Sequence, residues 1–164
     1  MDVTNQFYPS EGINGYGTQL LVGDGASPEV FEAVAFLKTI TPGDMSTAVY
    51  PRTHLRSPDA HHEKGLGLRD SGAFVAQGTW VPTHQSQSNA GGGTGPFADG
   101  GLIKIWRNRE ERNFKIVLAN GSPALEWPFR GGVTKFQPGS ITGDQDIDFT
   151  VEFTPLRAFD AQLP

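Results

Sequence analysis

Three stretches of this 164-residue chain place reactive residue types at suggestive spacings. The first, SNAGGGTGPFADGG (88–101), feeds LIKIWRNREER, which reads as a helix. A glycine-rich loop opening onto a helix N-terminus cradles phosphate in many nucleotide sites. Gly95 to Gly100 has the P-loop spacing, but Gly101 and Leu102 stand where the lysine and the metal-holding hydroxyl belong. Gly93, Gly95 and Ala98 meet the dinucleotide pattern only loosely. No strand runs directly into them, Pro82 follows TWV, and Pro96 removes a backbone donor. The stretch reads as a flexible strap.

The second is Asp144, Asp146 and Asp148, which imitates the opening of a calcium loop. Phe149 occupies the place of the turn glycine and Pro155 that of the bidentate glutamate, so solvated strand-edge charges are the better account. The third is His61-His62-Glu63 with His54 nearby. Zincin spacing fails at Leu66, and surface histidines are expected. Asp59, Glu63, Asp70, Asp99 and Glu126 could pair for glycoside hydrolysis, but nothing in their spacing brings two together. No G-x-S-x-G elbow supports a serine nucleophile. Asn120-Gly121-Ser122 has the form of a glycosylation sequon and reads as a turn. Lys104, Arg107, Arg109 and Arg112 are interleaved with Glu110 and Glu111, as on a solvated helix face or a subunit contact. No catalytic residue, cofactor or metal is expected, and the chain is not read as an enzyme.

The elements that carry these residues look mainly β. Gly contributes 21 residues, Pro 12 and Phe 11, the mixture of an all-β domain with many turns. The length suits one domain with a real core. A net charge of −5 is the wrong sign for gripping nucleic acid through its phosphates. Without cysteine there is neither a disulfide framework nor thiolate chemistry. The N-terminal residues lack the basic and apolar regions of a signal peptide, no apolar run reaches membrane-span length, and a soluble protein made in a cytoplasm is expected.

Residues 1–16 read as an arm, 17–156 as a β-sandwich or barrel domain, and 157–164 as a short tail. A strand is predicted over 18–22, closed by a turn at 23–28. VFEAVAFLKTI (30–40) is apolar on both alternating faces, with Phe31, Ala33, Ala35 and Leu37 on one and Val34, Phe36 and Ile40 on the other. A strand buried on both sides in so small a protein implies that one face meets another subunit. Across 41–70 no regular element is assigned. Pro42, Pro51 and Pro58 interrupt it, yet Met45, Val49, Tyr50, Leu55, Leu66 and Leu68 need burial, so the segment is expected to order against a partner. In 73–81 Phe74, Ala76, Gly78 and Trp80 share a face. Asp99 is expected to cap a helix over 100–112 with Leu102, Ile105 and Trp106 on one side. Residues 114–118 and 125–129 read as a hairpin around Asn120-Gly121, and Gly131-Gly132 as a bulge. The cleanest strand is 146–154, where Ile147, Phe149, Val151 and Phe153 alternate with polar residues.

The order of pieces resembles the major tail tube proteins of long-tailed, lambda-like siphophages. GYGTQLLVGDG (15–25) opens the domain, followed by the two-faced strand and THLRSPD (53–59). GLRDSGAF (67–74) then leads into a strand and the strap into the LIKIWRNREER helix, while EWPFRGGVTKFQPG (126–139) and DFTVEFTPL (148–156) close it. The resemblance covers roughly 12–156 and rests on order and pattern. It implies a β-sandwich with one helix whose strands join those of neighbouring subunits into a continuous barrel. Such subunits form stacked hexameric rings around a lumen through which the genome leaves. It also implies a tape-measure protein, a tail-tip initiator and a terminator as partners, transient passage of DNA without specific binding, no membrane insertion, and a place in the virion tail after assembly in the host cytoplasm. Subunit or ring contacts are expected at Phe31, Val34, Phe36, Tyr50, Leu55, Arg56, Leu66 and Arg69. Asp146, Asp148 and Glu152 are expected to face the lumen, where negative charge keeps the duplex sliding. Alternative readings are a tube subunit of a contractile secretion or bacteriocin machine and a β-sandwich ligand-binding module. The module would need exposed aromatics on one face, whereas Trp80, Trp106 and Trp127 fit core or helix-packing positions.

Overall fold

The computed structural model describes residues 12, 14–120 and 124–157. The expected arm therefore lies largely outside the described residues, as do Gly121 and all of the tail but Arg157. The described residues fold as a mainly β domain with one α-helix, α1 (Leu102–Asn108). The nine strands among the described residues are β1 (Gln19–Gly23), β2 (Phe31–Ala33), β3 (Leu37–Thr41), β4 (Met45–Pro51), β5 (Lys64–Ser71), β6 (Phe74–Thr79), β7 (Glu111–Leu118), β8 (Leu125–Pro138) and β9 (Asp148–Pro155). Seven form an antiparallel sheet in the order β2-β1-β7-β8-β9-β6-β3; β4 and β5 pair separately as a two-stranded sheet.

Alternation in the sequence becomes the two faces of the large sheet. Phe149, Val151 and Phe153 of β9, Phe74 and Ala76 of β6, Phe114 and Ile116 of β7, and Leu20 and Val22 of β1 are all buried. Their rings interlock: Phe74 stacks on Phe129 at 4.3 Å between centroids, and Phe114 meets Phe129 at 5.3 Å and Phe153 at 4.9 Å. Such aromatic contacts add roughly 0.5–1.5 kcal/mol each beyond burial. Leu102 and Ile105 of α1 and Phe97 of the strap close the core, and α1 packs on β8.

β8 carries an unusual duty. Its residues 125–132 pair with β7, and from Gly131 onward it also pairs with β9. The expected bulge at Gly131-Gly132 is displaced: the register shifts between Val133 and Lys135. Thr134 is the extra residue, and its hydroxyl donates to the Glu152 carbonyl at 3.2 Å.

Other boundaries also differ from expectation. The apolar run 30–40 is two strands, not one: β2 pairs with β1 and β3 with β6, at opposite edges of the sheet. Phe36 makes the break with a left-handed backbone, φ 61°. Its carbonyl accepts from Thr79 N–H and lies so close to Gly78 that a Cβ there would approach it to 2.3 Å. Val34, expected at a neighbour, is only 6% exposed and belongs to the subunit's own core. The helix is shorter than 100–112. Gly101 is its N-cap, no side chain caps it, and Glu111 and Arg112 already belong to β7. Arg109, left-handed at φ 55°, ends it. Trp106 turns outward and is 48% exposed, while Trp80 and Trp127 pack against the core.

Candidate assembly surfaces

The stretch 41–70, read as lacking regular elements, is a β-hairpin. β4 and β5 pair antiparallel from Met45↔Ser71 to Pro51↔Lys64, with an irregularity between Thr47 and Val49. The hairpin prolongs the β3–β6 ladder beyond Thr41 and Phe74, and Gly72 N–H donates to the Asp44 carbonyl at its base. No core lies beneath it. Every residue of β4 is exposed, and in β5 only Gly65 is buried. Leu66 is 77% and Leu68 87% exposed, and Met45 and Val49 are also in water. On the other face Tyr50 lies over β5, where a Cβ on Gly65 would meet its Cζ at 2.6 Å. Glycine at 65 is what lets the ring lie flat. An isolated two-stranded hairpin is marginal in water, so this one asks for a covering surface.

The tip, residues 52–63, is internally tied. Arg52 N–H donates to the Glu63 carbonyl at 2.9 Å, Glu63 N–H to Thr53 Oγ1 at 2.9 Å, and His54 N–H to Ser57 Oγ at 3.0 Å. Ser57 Oγ–H in turn donates to the Glu63 carboxylate at 2.8 Å, and His54 Nε2 lies 3.8 Å from it. Leu55 stands wholly exposed above this frame, beside Arg56.

The other expected contact residues fall elsewhere. Phe31 is half-buried, with the Lys115 ammonium 4.5 Å above its ring. Phe36 is exposed at the far end of the β6–β9 ladder, edge-on to His84 at 5.3 Å. There it borders an open cleft of about 590 Å³ with Trp80, Thr142, Gln145, Asp146 and Ile147. Arg69 lies on the hairpin opposite Thr47. A larger cleft, about 1070 Å³, opens between β3 and the β1–β7–β8 side of the sheet, with Leu37, Ile40, Ile116, Leu118 and Trp127 in its walls.

The three acidic residues assigned to the lumen do not act as a set. Asp146 precedes β9, in the exposed loop 139–147, so it is not on the strand's polar face. Asp148 is on that face, but Lys38 Nζ donates to it at 2.7 Å. Glu152 shares the face with Thr150 and sits opposite Lys135. Across β6, β8 and β9 this face is mostly Thr and Gln, with its charges matched.

Strap amides that could cradle a phosphate are spent on the protein: Gly100 N–H donates to Phe97 O, Gly101 N–H to Ser88 O and Leu102 N–H to Ser86 O. Far from a loose strap, the segment is tied down. Buried Gln87 accepts from Val81 N–H at 2.8 Å and donates to the carbonyls of Ala35 and Thr79 at 3.0 and 3.2 Å. Arg112, ion-paired with Glu110, donates to the Gly23 and Pro96 carbonyls and so joins strap to sheet. Among the described residues no group of three or more His, Asp or Glu side chains could hold a metal ion. No helix among them is long and apolar enough to cross a membrane. Hydrogen bonds from Arg157 and Arg130, each at 2.7 Å, hold the Glu111 carboxyl below its ordinary range. Two backbone N–H groups, of Ala26 and Val30, do the same for Asp24 in the turn after β1.

Met45, Val49 and Leu68, expected to need burial against a partner, stand exposed on the hairpin beside Tyr50 and Leu66. Trp80 and Ile147, which line the Phe36 cleft, carry no contact expectation from the sequence.

Among the described residues, a seven-stranded antiparallel sheet packed against one short helix, with a two-stranded hairpin standing off it, is consistent with a tail-tube-like fold. Solved structures similar to it include chains from a contractile injection system and from a gene transfer agent. A chain from the extended sheath–tube complex of the extracellular contractile injection system PVC matches with TM-score 0.61 at 15% identity, over 96% of each chain. One from the sheath/tube terminator of the same system gives 0.61 at 17% identity, over 93% of this chain and 96% of that one. One from the tail of an empty GTA (gene transfer agent) particle gives 0.56 at 15% identity, over 85% and 92%. No family model matches the sequence. No curated protein matches it either.

Proposed function

We propose that the chain is the structural subunit of a phage-like tail tube. Identical copies form hexameric rings that stack into a conduit for DNA, as the resemblance to lambda-like siphophage tube proteins implies. The observation that carries this reading is the β4–β5 hairpin: an ordered element with apolar residues on a surface that its own subunit leaves bare. The shared fold supports it. In the tube, the hairpin reaches the adjacent ring, and sheet edges of neighbouring subunits join. The polar face of β6, β8 and β9 lines the bore. Its Thr and Gln residues, with Glu152 and Asp148 matched by Lys135 and Lys38, offer DNA no net cation to grip. A tape-measure protein, a tail-tip initiator and a terminator are the partners of such a tube. Its place is the virion tail, and its role is structural, not enzymatic.

A second reading, a tube subunit of a contractile machine, is favoured by the contractile injection systems among the structural likenesses. Negative-stain microscopy of the concentrated protein tests the common core of both. Rings or hollow tubes are expected, and a strictly monomeric particle at every concentration would overturn it. A neighbouring gene for a long helical tape-measure protein without a sheath gene selects the siphophage form.

A further inference from the structure

The hairpin and the Phe36 cleft lie at opposite ends of one ladder. β3 and β6 run together from Thr41↔Val75 to Leu37↔Gly78, and β6 and β9 from Phe74↔Phe153 to Thr79↔Asp148. β4 and β5 leave the sheet at the Phe74 end. Phe36, Trp80 and Ile147 gather at the Asp148 end, where Trp80 N–H donates to the Ile147 carbonyl at 2.7 Å. Two surfaces at opposite ends of one body can meet only between copies, head to tail. Such heterologous contacts do not close a pair; they propagate.

Charge pairs the two ends. At the tip, Glu63 is engaged by Ser57 and His54, and the exposed charges of the tip and its stem are Arg52, Arg56 and Lys64 against a single acid, Asp59. Among the described residues none of these three cations has an ion-pair partner. The loop beside the cleft carries Asp144 and Asp146, both exposed, and no cation. Apolar groups match as well: exposed Leu55 crowns the tip, while Phe36, Trp80 and Ile147 wall the cleft. The hydrogen-bonded tip is already set in one shape, which reduces the ordering cost of docking.

We infer that the hairpin tip of one copy docks in the Phe36–Trp80–Ile147 cleft of a second, with Leu55 entering the cleft and Arg56 facing Asp146. This contact rests on the tube reading and gives it a specific longitudinal joint between rings.

The chain has no cysteine, so an engineered pair reports on this joint alone. Leu55→Cys and Gln145→Cys are made singly and together, both at exposed positions, and assembled under mild oxidation. A disulfide needs Cα atoms within about 7 Å, so bonding reports direct contact. The double variant should give a reducible ladder of dimers, trimers and longer species on non-reducing gels, and each single variant none. Tubes that form without a ladder would overturn the joint while leaving the tube reading intact. Dimers from Leu55→Cys alone would mean a symmetric tip-to-tip contact and also overturn it. No assembly by the unsubstituted chain would remove the tube reading and the joint with it. Independently, Arg56→Asp or Asp146→Arg alone should raise the concentration needed for tube growth about fivefold or more, and the combined exchange should restore it. Failure of that restoration, with the variants folded, would also overturn the pairing.

Discussion

Leu66 offers a direct separation of folding from assembly. Burying a leucine fully is worth about 1.5–3 kcal/mol. With 77% of Leu66 still in water, roughly three quarters of that remains to be gained, about 1–2 kcal/mol per subunit on contact with a second copy. Leu66→Ser forfeits this gain. At about 1.4 kcal/mol per tenfold, the concentration at which tubes appear should rise roughly five- to thirtyfold. Stability of the lone subunit should move by less than about 0.5 kcal/mol, because the residue touches no core. Leu20, 1% exposed, is the contrast: Leu20→Ser should cost several kcal/mol of fold stability, on the order of 2–5. Pelleting across a dilution series measures the threshold, and thermal unfolding by circular dichroism at a non-assembling concentration measures the subunit. A Leu66→Ser protein that melts early yet assembles at the original threshold would refute the reasoning.

Gly65→Val should push the Tyr50 ring off β5, since the new Cβ would stand 2.6 Å from the Tyr50 Cζ and the Arg52 Cδ; assembly should weaken, with faster amide exchange across 45–71 and an unchanged core. Gln87→Leu should strand Val81 N–H and remove a donor from the Ala35 and Thr79 carbonyls, costing about 2–4 kcal/mol in urea unfolding. Glu111 has its pKa depressed below the ordinary 4.5 by its two arginines, so its stabilisation is present above that pH and fades as pH falls through the folded-state value. Glu111→Gln should therefore melt below the unsubstituted chain at neutral pH, with the gap closing in acid; a gap constant from pH 7 down to strongly acidic conditions would contradict the assignment.

Elements whose residues face a core within the subunit are legible in the sequence. β9 is the clearest case, because Phe149, Val151 and Phe153 alternate with Thr150, Glu152 and Thr154 over a half-buried sheet. The hairpin was not legible for the converse reason. Alternation is a signature of one buried and one wet face, and in β4 both faces are wet. Prolines 51 and 58 and glycines 65 and 67 then look like loop punctuation. The break at Phe36 was hidden differently. A left-handed turn normally advertises itself with glycine or asparagine, but here the Thr79 amide and the His84 ring hold a phenylalanine in that conformation. Gly78, the residue that makes room, sits on another strand. The expected contacts Tyr50, Leu55 and Leu66 fall together on the hairpin because they are large apolar residues in a polar stretch. Val34 was misassigned because apolarity alone cannot distinguish a residue's own core from a neighbour's.

β8 belongs to two ladders in turn, handing over from β7 to β9 around Gly131 and Gly132. The sheet consequently has no seam along which its left and right halves could part. Peeling from either flank ends at the same strand, and losing that strand strips both sides of their hydrogen bonds at once. A subunit built this way should melt as one cooperative block, so in the proposed tube a pull along its axis should either break joints between copies or take a whole domain down with it.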